Sequence, residues 1–70
     1  MNSPHRLRKA RDKSRKLIAK AERERDLKGY RENLGYDQYR SLEDYCATLC
    51  LSYTETSIIL GAFDNACDAL

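Results

Sequence analysis

Tryptophan is absent from this 70-residue chain, phenylalanine and proline occur once each, and glycine occurs three times. So few helix breakers leave room for long helices, and no strand alternation competes with them. No apolar run approaches the roughly 18 residues of a membrane-spanning helix. The N-terminus also lacks the apolar core of a secretory signal. An Arg-rich, acid-poor start does resemble an organelle transit peptide, but its apolar face is thin and lysines abound. His5 is the only histidine. No pattern sets a Ser–His or Cys–His pair, and there is no Gly-rich phosphate loop, so a non-enzymatic protein without cofactors is expected. Three cysteines cannot all pair within one chain. Together with the missing secretory signal, they point to a reducing, cytoplasmic setting and no membrane.

Charge is abundant but uneven. Residues 1 to 20 hold Arg6, Arg8, Lys9, Arg11, Lys13, Arg15, Lys16 and Lys20 against Asp12 alone, a net +7. Residues 41 to 70 hold five acids and no Lys or Arg, a net −5. A basic segment on an acidic body suits a protein that meets a polyanion with one end. The plain alternative is a solvated helix whose small apolar stripe docks on a partner. A membrane-surface role would need large apolar anchors that this segment lacks.

At 70 residues the chain makes one small fold with a marginal core of its own. A partner or a second copy in a homodimer could supply further burial. Within it we expect a basic helical arm over residues 1–28 and a small helical domain over 29–70. Ser3 and Pro4 suit a helix start. Leu7, Ala10, Ser14, Leu17, Ile18 and Ala21 then recur at three- and four-residue steps, one narrow helical stripe. The stripe is thin enough that residues 1 to 20 should be the most mobile part of a free monomer. Asp12 with Lys16 and Glu24 with Lys28 are favourable i,i+4 pairs. Leu27, Tyr30 and Leu34 form a second short stripe. A break or kink is expected near Gly29 and a definite stop at Gly35, with the following tyrosine-rich residues as a turn or entry segment. The next helix should begin after Ser41 with Asp44 in a capping box, although Asp37 could cap an earlier start. The last helix should run from Tyr53 to near Leu70, capped by Ser52 with Glu55. Ile59, Ala62, Phe63, Ala66 and Leu70 give it an apolar face. Gly61 within it should mark a close helix contact.

The stretch from Leu42 to Leu60 resembles the helix-turn-helix of DNA-binding regulators. Cys46 stands where that pattern has a small residue, Leu49 and Leu51 flank the turn, Ser52 is the polar cap, and Ile59 is the buried residue of the second helix. Two positions depart from the pattern: Cys50 replaces the usual turn glycine, and Thr56 replaces an aliphatic residue. The resemblance implies an exposed second helix whose Tyr53, Thr54 and Ser57, with Ser52 and Ile58, are possible recognition residues.

The expected fold is therefore all-α: a long basic N-terminal helix followed by a small helix-turn-helix-like corner. The expected function is a small nucleic-acid-binding regulator of DNA or RNA. Its contacts come mainly from Arg6, Arg8, Lys9, Arg11, Lys13, Arg15, Lys16, Lys20 and Arg23. The alternative is a protein-binding adaptor or inhibitor that uses the acidic half, where Tyr30, Tyr36, Tyr39, Tyr45 and Tyr53 cluster. Cys46, Cys50 and Cys67, with His5, could be read as metal ligands. No second close pair completes a zinc pattern, and small core residues are the expectation.

Overall fold

The structure, a computed structural model, describes residues 3–29 and 32–70. It is all-helical, with no strand among the described residues. α1 spans Ser3–Lys28, α2 spans Tyr36–Thr48 and α3 spans Tyr53–Asp68. The Ser3 cap and Tyr30 fall outside the described side chains. The molecule measures 43 × 18 × 16 Å. α1, about 39 Å long at 1.5 Å per residue, sets the long axis and overhangs the two shorter helices.

Small side chains explain how α1 packs. Ala10, Ser14, Leu17 and Ala21 lie one turn apart on one face, and all four are buried. The stripe is as narrow as the sequence indicates, with Leu7 and Ile18 half-buried at its margin, and Ala and Ser at its centre let α2 and α3 approach the α1 backbone. α1 ends where Gly29 takes φ +77° and donates its N–H to the Arg25 carbonyl at 2.8 Å. That left-handed closure is the glycine helix stop, so the helix terminates here rather than kinking.

Gly35 does not end a helix. Its φ of +78° makes it the residue from which α2 starts. The helix begins at Tyr36, well before Ser41, which is exposed within it. The Ser41–Asp44 box is therefore not used. Asp37 lies in the first turn, where a carboxylate favours the positive end of the helix dipole. Starting at Tyr36 gives α2 a buried stripe of Gln38, Leu42 and Cys46 at four-residue steps. Gly35 is also close-packed: a Cβ there would lie 2.9 Å from Cys67 Sγ.

α2 closes with Leu49 as its cap and Cys50 at φ +59°. Cys50 N–H donates to the Ala47 carbonyl at 3.0 Å, and Leu51 N–H to the Cys46 carbonyl at 3.3 Å. This paired closure is a Schellman motif with a cysteine where glycine is usual. α3 opens on a complete capping box. Glu55 N–H donates to Ser52 Oγ at 3.1 Å, and Ser52 N–H donates to Glu55 Oε1 at 3.0 Å.

The three helices run up, down and up. α1 and α3 are parallel: Ser14 lies by Ile59, and Arg25 donates to the Leu70 carbonyl oxygen at 2.8 Å. α2 runs antiparallel to both. Its first residues meet the far end of α3, where Gly35 packs on Cys67 and the Tyr39 and Phe63 rings lie 6.3 Å apart. Leu42, Cys46, Ile59, Leu60, Phe63 and Cys67 complete a core shared by all three helices. Leu60 belongs to that core although the sequence stripe omits it, whereas Ala62 is exposed. Gly61 is no close contact, since nothing lies within 4 Å of a Cβ built there. Leu27, expected in a stripe, is 88% exposed.

Candidate nucleic-acid interface

A helix that buries one narrow stripe must show the rest of its surface to solvent. On α1 that surface is cationic. Arg8, Lys9, Arg11, Arg15, Lys16, Lys20 and Arg23 are exposed, and Arg6 and Lys13 are half-buried. The sequence-derived contact residues thus share one continuous helix surface around the buried stripe. Arg8, Lys9, Arg11, Lys16, Lys20 and Arg23 form no ion pair among the described residues.

Other cations are engaged locally. Arg15 Nη1 donates to Asp12 Oδ1 at 3.0 Å, so Asp12 meets the residue three positions on rather than Lys16. Lys28 Nζ lies 3.2 Å from Glu24 Oε2, as the spacing suggests. Lys13 Nζ stands 5.5 Å from the centroid of the Tyr45 ring. That cation–π contact ties α1 to α2. It depends on how the helices pack, so the sequence offers no signal for it.

Beyond Asp12, Glu22, Glu24 and Asp26 of α1, most of the acids lie on the other two helices. Glu43 and Asp44 on α2, and Asp64 and Asp68 on α3, are exposed. The outer groove between these helices is lined by Tyr39, Glu43, Tyr53, Leu60 and Asp64. Tyr53, Thr54, Ser57 and Ile58 are exposed on α3 as the resemblance implies, and Tyr53 is 88% exposed. Tyr53 borders the acidic groove, whereas Ile58 borders α1. Tyr36 is exposed and its hydroxyl accepts from Arg40 Nη1 at 3.2 Å, an arrangement that holds the guanidinium pKa above its ordinary value. Among the described tyrosines, Tyr39 lines grooves with Tyr36 and with Tyr53, whereas Tyr45 faces Lys13 of α1.

The cysteines separate too. Cys46 and Cys67 are buried core residues, whereas Cys50 lies in the turn and is exposed. Burial pushes the Cys46 thiol up. Burial first, then Asp64 and Asp68, does the same for Cys67. No group of three or more potential ligands comes together among the described residues.

Among those residues no helix is long and apolar enough to cross a membrane. No protein-family model matches the chain, and neither a curated protein nor a solved structure matches it.

Proposed function

We propose that this chain is a small, non-enzymatic nucleic-acid-binding regulator whose contact surface is the basic helix α1. The observation that supports this reading is the set of exposed α1 cations that form no ion pair among the described residues. Crowded like charges repel one another in the free protein, and a polyanion relieves that repulsion while releasing its counterions. The acids of α2 and α3 lie on the helices that back α1, so they need not face the phosphates. Residues 6 to 25 carry the contact, and phosphates rather than base edges are its main target.

The helix-turn-helix resemblance has a smaller part in this reading. Helices of such a motif cross at about 90–120°; here the start of α2 also meets the far end of α3, where Gly35 packs on Cys67 and Tyr39 meets Phe63. Tyr53, Thr54 and Ser57 are therefore proposed only as secondary contacts. A second reading has its own observation: the acidic, tyrosine-bearing groove between α2 and α3 suits a cationic protein partner.

Titration of labelled DNA and RNA of arbitrary sequence into the full chain at low salt separates the two readings. Nucleic-acid binding that weakens when Arg11, Arg15 and Lys16 are replaced by Gln, and not when Glu43 and Asp64 are, is the expected outcome. No binding to either polymer would remove this reading in favour of a protein partner.

A further inference from the structure

α1 sorts its cations by type. From Arg8 to Lys20 the arginines are Arg8, Arg11 and Arg15, and the lysines are Lys9, Lys13, Lys16 and Lys20. At about 100° per residue the arginines fall on one edge of the buried stripe and the lysines on the other. Contacts fix which edge is which. Arg11 and Arg15 line a groove with Ile58, Ile59 and Ala62 of α3. Arg8 lines the adjoining groove with the same two arginines, Leu7 and Asp12. On the other edge Lys13 lies over Tyr45 of α2, and Lys20 lines a groove with Arg23 and Gln38, so the sorting by type holds from Arg8 to Lys20 and not beyond. Arg6 precedes this span and is half-buried.

The two edges differ in chemistry although their charges are alike. A guanidinium is planar, weakly hydrated and forked, and it grips a phosphate through two parallel N–H donors. An ammonium is a compact, strongly hydrated point charge. The arginine edge has an apolar shoulder, with Ile58 58% exposed and Ala62 exposed beside it. Such a surface excludes some water and strengthens a charge-assisted hydrogen bond formed against it. Asp12 lines the adjoining α1 pocket with Arg8. It holds Arg15 through Nη1 at 3.0 Å, which orients the guanidinium and leaves other donors for a second acceptor.

We infer that the groove between α1 and α3, together with the adjoining α1 surface at Arg8, is where nucleic-acid phosphates are gripped, by the forks of Arg11, Arg15 and Arg8, while the lysines from Lys9 to Lys20 supply only diffuse attraction. This inference rests on the nucleic-acid reading above and divides the basic surface into two working parts.

Charge-preserving exchanges test it. The full chain carrying Arg8→Lys, Arg11→Lys and Arg15→Lys is compared with one carrying Lys9→Arg, Lys16→Arg and Lys20→Arg. The probe is a short labelled DNA duplex of arbitrary sequence at low salt. The first set should weaken binding by about tenfold, the scale of one or two bidentate grips reduced to point charges. The second set should not weaken it. If the first set unfolds early in a melting curve, Arg11→Lys alone should show a smaller loss of affinity in the same direction. Equal affinity for the wild type and the arginine-edge variants would overturn the division while leaving nucleic-acid binding intact. No binding by the wild type would overturn both.

Discussion

α1 brings Ala10, Ser14, Leu17 and Ala21 to the shared core, whereas the paired α2 and α3 bring Leu42, Ile59, Leu60 and Phe63. The first set is mostly small and the second mostly large. Buried apolar area scales with side-chain size, at about 25 cal/mol per Å², so the α2–α3 pair supplies most of the hydrophobic stabilisation. α1 is held by close fit instead. The difference frees the rest of α1 for charge: one thin stripe suffices to seat it, and the remaining surface is rich in Arg and Lys. The helices with the larger core residues carry acids and no lysine. Stability and the proposed polyanion contact thus fall largely to different helices.

Truncation on one side and enlargement on the other probe that division most strongly. Phe63→Ala should destabilise by about 3–5 kcal/mol, as expected for an aromatic removed from a core. Ala21→Leu should cost about 1–3 kcal/mol through overpacking. Both are read from denaturant melts. A neutral Ala21→Leu would mean that α1 has slack beneath it, contrary to a close fit.

Two glycines extend the contrast to the backbone. Gly35→Ala should destabilise by about 2 kcal/mol, because Ala must adopt φ > 0 and its Cβ would press on Cys67 Sγ. Gly61→Ala should stabilise by about 1 kcal/mol, since Ala is the better helix former and the space there is open. Equal effects at the two sites would contradict the packing around Gly35.

The smallest effects lie in the turn. Ser52→Ala should cost about 1 kcal/mol by removing the α3 cap. Cys50→Gly should stabilise by about 0.5 kcal/mol, because relief of the left-handed strain exceeds the entropy gained by the unfolded chain. An unchanged melting curve for Ser52→Ala would mean that α3 starts elsewhere.

The legible parts of this fold are those encoded locally. The α1 stripe, the interruption at Gly29 and the Ser52–Glu55 box depend on neighbours within four positions, and the spacing shows them, although it does not show that the interruption is the stop. The start of α2 is hidden because Ser41–Leu42–Glu43–Asp44 imitates a cap. Yet Gln38, Leu42 and Cys46 run at helical spacing across it, and only tertiary burial of Gln38 decides for the longer helix. Gly35 looks like a stop because sequence cannot distinguish a glycine that ends one helix from one that starts the next. The thinness of the α1 stripe is visible in the sequence, but the burial of Ala10, Ser14, Leu17 and Ala21 is not, since that depends on the close approach of two partner helices. The basic surface is legible residue by residue, whereas its partition between α2 and α3 requires the packing.

The dependence of affinity on salt tests the basic surface of α1 most directly. Binding of the full chain to a labelled duplex is measured across a salt series. The plot of log K against log salt should fall with a slope of about −0.9 per phosphate neutralised. With Arg11, Arg15 and Lys16 replaced by Gln, the slope should flatten, by as much as about 0.9 for each phosphate no longer neutralised, and binding should weaken about equally on unrelated sequences. A slope near zero for the wild type, or one unchanged in the triple variant, would contradict a polyanion contact made by α1.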